Sequence, residues 1–259
     1  MQTIRISTVL VVLTVLLAGC SGGGVTDGTS STDGTATDGS ATGTGSDLSL
    51  NEADERLRTA GSFTTQWSYT VQQADGTTTQ FNNTYEVDLD ANRSREVYST
   101  SGPDAQTDYE IFVSEGTSYT RYGSGDDAFY QSGDAPSSVF DSATGRAAGF
   151  YNNLEDDATF EGTETYDGVT VSRYDYTDTD AWGTYNQAIT GATFDTDEEV
   201  TVTDFSITVL VDDDGIARLT TWTFVGETAS GDQVSIEWSY SITDIGSTTV
   251  EDPDWLDEA

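Results

Sequence analysis

The chain has 259 residues, 46 of them Asp or Glu against 9 Lys or Arg, for a formal net charge of −37, with no histidine and a single cysteine. These counts exclude Ser-His-Asp and Cys-His nucleophile systems, histidine-ligated zinc, haem held by His or Cys, and any intramolecular disulfide. A surface this acidic repels nucleic acid and anionic bilayers, so neither is expected as an electrostatic partner.

Met1–Thr8 carries one charge, Arg5, and leads into Val9–Ala18, which is apolar apart from Thr14. Ten to twelve such residues rise only about 15–18 Å as a helix, short of a hydrocarbon core of about 30 Å. The run therefore reads as a secretory signal ending in small residues, with residues 1–19 removed. Leu17-Ala18-Gly19-Cys20 resembles the lipobox of secreted lipoproteins. That resemblance implies cleavage between Gly19 and Cys20 and a lipid on Cys20, which makes the membrane a partner through that lipid. The expected location is the cell membrane, lipid-anchored and facing the extracellular side.

In Ser21–Ser46 all residues except Val25, Ala36 and Ala41 are Ser, Thr, Gly or Asp. Such a segment buries nothing that would offset the entropy of ordering, so residues 20–46 are expected to form a tether with a coil dimension of about 28 Å. Residues 47–259 then form one domain. Its abundance of Asp and Thr, with no lysine, resembles secreted proteins of extremely halophilic archaea. Concentrated salt screens the self-repulsion that such a charge creates.

The domain opens on a short amphipathic helix. Ser49 and Glu52 have capping-box spacing, Leu50, Ala53, Leu57 and Ala60 share a face, and Gly61 supplies a stop. From Ser62 the period changes to two. Phe63, Trp67, Tyr69 and Val71 alternate with polar residues, and so do Phe81, Tyr85, Val87 and Leu89 beyond the Asp75-Gly76 turn. Further strands are expected at 93–100, 106–114, 117–122 and 128–131. A second helix is expected over Ser138–Asn153, then strands at 158–163 and 169–177 and a helical turn over Ala181–Thr190. Three long strands, 199–211, 216–226 and 233–245, close the domain. The last is the clearest: Val234, Ile236, Trp238, Tyr240 and Ile242 alternate with Ser, Glu and Thr, which predicts an antiparallel sheet covered on one side only. Hairpin connections throughout make a meander the economical topology. The fold class is mainly β with a few helices (α+β): a single, strongly curved antiparallel half-barrel of about eleven strands, with short helices over the concave face.

This layout resembles the LolA/LppX-like superfamily of lipoproteins and lipoprotein carriers. The residues carrying the likeness are Ala53, Leu57 and Ala60 followed by Gly61-Ser62-Phe63, then Tyr166-Asp167-Gly168-Val169 with Tyr174, and the closing hairpins to Asp252-Pro253. The resemblance implies an apolar concave face that binds acyl chains or lipoproteins, so a hydrophobic small molecule or lipid is the expected ligand. Within it, the chain looks most like the uncharacterised surface lipoproteins of salt-loving archaea.

Trp67, Tyr69, Tyr85, Trp222, Phe224, Trp238 and Tyr240 are the candidate lining of such a cavity, and the same aromatics also suit a packed core. Asn82 and Asn92 each open an Asn-x-Ser/Thr acceptor triplet for N-glycosylation. Asp212-Asp213-Asp214-Gly215 lacks the spacing of a calcium loop and reads as a hairpin turn. No catalytic residue, metal or cofactor is assigned. Pairs of carboxylates follow from the composition, and an enzyme would need one of them sequestered with a raised pKa. The expected function is therefore lipid-anchored binding of a hydrophobic ligand; the alternative is a ligand-free structural or interaction module of the cell surface.

Overall fold

The structure, a computed structural model, describes residues 48, 50, 52–103, 105, 108–145, 154, 157–183 and 198–259. Helix α1 (Ala53–Ala60) starts three residues later than a Ser49 cap would place it. Glu52 stands at its N-cap without a side-chain capping bond, and Ser49 lies outside the described residues. Gly61 ends the helix in the left-handed region at φ 77°, which glycine adopts without penalty.

Eleven strands follow: β1 (Ser62–Gln72), β2 (Thr78–Asp88), β3 (Arg93–Ser101), β4 (Tyr109–Ser114), β5 (Thr117–Tyr122), β6 (Phe129–Asp134), β7 (Thr159–Tyr166), β8 (Val169–Thr177), β9 (Val200–Asp212), β10 (Ala217–Thr228) and β11 (Gln233–Thr243). They form one antiparallel sheet in the order β6-β5-β4-β3-β2-β1-β11-β10-β9-β8-β7, an open half-barrel whose edges are β6 and β7. The expected meander is interrupted once. The chain runs outward from β1 to β6, crosses to the opposite edge, and returns from β7 to β11, so its first and last strands pair at the centre.

That crossover carries helix α2 (Val139–Thr144), capped by Ser138, whose Oγ accepts from the Asp141 N–H at 3.1 Å. The expected continuation through residues 146–153 lies outside the described residues, as does that of the helical turn through 184–190. Register is pinned locally by two-residue hairpin loops. Glu115 and Gly116 (φ 53° and 79°) join β4 to β5, and Asp167 and Gly168 (48° and 77°) join β7 to β8; paired positive φ values match the right-handed twist of the strands. At the β9–β10 turn Asp212 turns its carboxylate on its own loop. Its Oδ1 accepts from the N–H groups of Asp214 and Ile216 at 3.0 and 2.9 Å, and its Oδ2 from Arg218 at 2.5 Å.

Period-two patterning puts Phe63, Tyr69 and Val71 of β1 on the same face as Val234, Ile236, Trp238, Tyr240 and Ile242 of β11 and Trp222 and Phe224 of β10. α1 and α2 cover its centre. Phe140 of α2 meets Phe63 edge-on at 5.7 Å between centroids, under the guanidinium of Arg58 from α1. Tyr240 OH and Thr65 Oγ1 both donate to the Ala143 carbonyl. Trp182, after the turn that ends β8, packs 4.1 Å from the Phe224 ring and 5.5 Å from that of Trp222.

The opposite face has a smaller apolar centre. The tail from Val250 crosses β3–β6 and buries Val250 and Trp255 with Phe112, while Tyr130 OH donates to Glu258 at 2.7 Å.

Candidate functional site

The cross-strand partners trace one row along the apolar face, at right angles to the strands. From edge to edge it reads Phe129, Tyr122, Tyr109, Tyr98, Asn83, Trp67, Tyr240, Thr220, Val209, Tyr174 and Phe160. Every strand except β2, β9 and β10 contributes an aromatic ring. Antiparallel pairing brings such opposed side chains to about 4.5–5.5 Å between Cβ atoms, so the rings touch.

Burial divides the row. Its middle and its β7 side pass beneath the covering elements, and Tyr240 and Thr220 are 2 % and 0 % exposed. Toward β6 the row opens. Tyr98 and Tyr109 stack at 4.8 Å, Tyr109 and Tyr122 meet tilted at 6.3 Å, and Tyr122 and Phe129 stack at 6.1 Å. Tyr122 is 38 % exposed and Phe129 61 %, and with Val97 they are the exposed large apolar side chains among the described residues.

Beside the row, two residues before Tyr98 on the same face of β3, lies Glu96. Its Oε1 accepts from Asn83 Nδ2 at 2.6 Å and from Tyr109 OH at 3.1 Å, so the carboxylate is fixed against the apolar face. Next to it Tyr85 hydrogen-bonds Ser94, and burial holds the Tyr85 phenol above its ordinary pKa, with the Glu96 charge acting in the same direction.

Six of the seven sequence-derived lining residues, Tyr69, Tyr85, Trp222, Phe224, Trp238 and Tyr240, are packed in the covered layer at 8 % exposure or less; Trp67 is half-buried on the row. Asn82 lies mid-strand on β2, half-buried and pointing away from the apolar face, and Asn92 sits exposed in the β2–β3 turn at φ 52°. Gly19 and Cys20 lie outside the described residues. The sequence reading did not single out Tyr98, Tyr109, Tyr122, Phe129, Asn83 and Glu96. Their signal was an aromatic in each of four successive strands, visible as one row only when the hairpin registers are known.

On the polar face, Ser68, Thr70, Thr221, Thr223, Glu237 and Ser239 of β1, β10 and β11 surround a shallow depression of about 310 Å³. Among the described residues no group of three or more Asp, Glu, Cys or His side chains converges as metal ligands would.

These features define an open antiparallel half-barrel, covered at its centre and exposing Tyr122 and Phe129 toward its β6 edge. The chain belongs to DUF7537, a family of unknown function whose model matches residues 5–259. Among solved structures it is similar to the lipoprotein LppX of Mycobacterium tuberculosis, with 14% identity over 80% of this chain and 100% of that one and a TM-score of 0.38. It is also similar to LprF from Mycobacterium bovis (15% identity, 78% of this chain, 96% of that one, TM-score 0.37). A LolA superfamily protein from Nitrosomonas europaea is similar at 10% identity, over 80% of this chain and 94% of that one, with a TM-score of 0.23. No curated protein matches the chain.

Proposed function

We propose that this protein binds a hydrophobic ligand on the open end of its aromatic row and does so outside the cell, anchored by a lipid on Cys20 at the head of the 20–46 tether. One observation carries the binding reading. The aromatic row runs out of the packed layer to Tyr122, 38 % exposed, and Phe129, more than half exposed at the sheet edge. A ring on a polar strand costs solvation unless something covers it, and two stacked rings continuous with a core make a ready apolar platform. The Leu17-Ala18-Gly19-Cys20 motif and the acid-rich, lysine-free composition support the anchor and a saline exterior. Binding, rather than catalysis, is the activity this platform supports.

A ligand-free surface module is the second reading, and it is favoured by the closed packing of Trp222, Trp238 and Tyr240, each 1–2 % exposed, which leaves their part of the face to the protein itself. The deciding experiment is native mass spectrometry with organic extraction of the full chain purified from its own host. A stoichiometric apolar adduct, lost in Phe129→Ser, is expected. A bare protein mass and an empty extract would overturn ligand binding in favour of the module.

A further inference from the structure

We infer that the ligand is a cationic amphiphile, its chain lying along Tyr98, Tyr109, Tyr122 and Phe129 and its head at Glu96. This rests on the proposed hydrophobic binding and adds the chemical class. The four rings cross three strand spacings, about 14 Å, which suits a single extended alkyl chain better than a branched or two-chain lipid.

At the inner end of that path lies Glu96, a carboxyl group held in place by hydrogen bonds. Both bonds that Asn83 and Tyr109 donate go to its Oε1, so its second oxygen is presented by a carboxylate that is already oriented. A carboxylate fixed at the hydroxyl edge of Tyr109 is chemistry that recognises an ammonium. The ammonium would gain a charge-assisted hydrogen bond, and little side-chain entropy remains to be lost on binding.

The rest of the surface selects the same sign. The chain carries −37, and each described arginine already faces a carboxylate: Arg56 with Glu52, Arg58 with Asp141, Arg93 with Asp252, Arg95 and Arg121 with Glu110, Arg173 with Asp175, and Arg218 with Asp212. Among the described residues, then, no uncommitted arginine awaits a carboxylate or phosphate head. An anionic amphiphile would bring its charge against Glu96 at contact distance, where salt screens least, and meet repulsion there.

The test uses the full chain in molar salt and three probes with one tail: dodecylammonium, dodecanol and laurate, each below its micellar concentration, titrated calorimetrically. The ammonium should bind about tenfold tighter than dodecanol, the increment expected of one charge-assisted hydrogen bond to a carboxylate, and laurate weakest. Glu96→Gln should bring the ammonium to within about threefold of dodecanol. That variant changes the net charge by a single unit, so this loss separates the local carboxylate from the general acidity. Phe129→Ala, at an exposed edge position, should weaken all three probes. Laurate binding as tightly as the ammonium, or a preference unchanged in Glu96→Gln, would overturn the inference while leaving hydrophobic binding in place. If none of the three binds, hydrophobic binding fails with it.

Discussion

Glu110 and Arg121 stand directly opposite each other on β4 and β5, and Arg121 Nη2 donates to Glu110 Oε2 at 2.8 Å. Arg95 of β3 holds the other oxygen at 2.7 Å, and the Glu110 side chain is only 5 % exposed while both arginines keep about a third of theirs in solvent. The cluster sits on the face that the C-terminal tail covers, with the Arg121 guanidinium 5.7 Å from the Trp255 ring. The two sides of the cluster are therefore unequal. Removing both arginines strands a buried carboxylate, whereas removing the carboxylate leaves two cations that water can reach. We expect Arg95→Ala with Arg121→Ala to cost about 3–5 kcal/mol and Glu110→Gln only about 1–2 kcal/mol. Urea unfolding of the two variants in concentrated salt checks the order, and equal losses would show that the tail, not burial, dominates.

How far the sequence foretold this architecture depended on which physical signal each part carries. Thr117–Tyr122 and Val169–Thr177 match their expected bounds, and in each a two-residue turn with positive φ fixes the first residue. The dry face of β11 was legible from Val234 to Ile242 because alternation reports burial directly. The crossing from β6 to β7 was not legible, since hairpin signals say that neighbours pair and are silent about which edge a longer connection reaches. The open end of the row was hidden for a related reason. Tyr98, Tyr109, Tyr122 and Phe129 lie on separate strands, and only register aligns them; no local pattern distinguishes a buried ring from an exposed one.

Tyr85 gives a pH dependence with a definite sign. Burial raises its folded-state pKa above the ordinary phenol value, and the Glu96 charge adds to this. The folded protein thus holds the phenolic proton more tightly than the unfolded chain does. The corresponding stability is complete below the unfolded pKa of about 10 and is lost as pH rises from there through the folded value. Melting followed from pH 8 to beyond pH 11 should show a steep alkaline decline. In Tyr85→Phe, which keeps the ring and removes the proton, that decline should be shallower. An unchanged alkaline limb would assign it to other tyrosines.

The anchor proposal is tested at a single atom. If the Cys20 sulfur receives the lipid, Cys20→Ser removes the only thiol in the chain without touching the folded domain. The variant should either appear in the medium, cut at a different bond, or persist as an uncut precursor with residues 1–19 attached. Detergent partitioning of the wild-type protein and the mass of its N-terminal peptide would identify the modification. Wild-type-like membrane retention of Cys20→Ser in processed form would exclude the lipid as the anchor.

The net charge makes the last prediction one of magnitude. With 46 acidic residues and every described arginine already paired, the remaining carboxylates repel one another over the surface of the sheet. At about 1 M salt the Debye length is roughly 3 Å, so charges on alternate strand positions are mutually screened; at about 0.1 M it is roughly 10 Å, and they are not. At this chain length each 1 kcal/mol lost lowers Tm by roughly 2–4 °C. Dilution between those two concentrations should therefore lower Tm by at least about 10 °C, which requires a loss of only a few kcal/mol. Calorimetry in sodium chloride and in potassium chloride separates screening from ion-specific binding, because screening depends on ionic strength alone. A salt-independent Tm would mean that the carboxylates are far enough apart to be tolerated in dilute solution, and would remove the physical reason for placing this protein in a saline exterior.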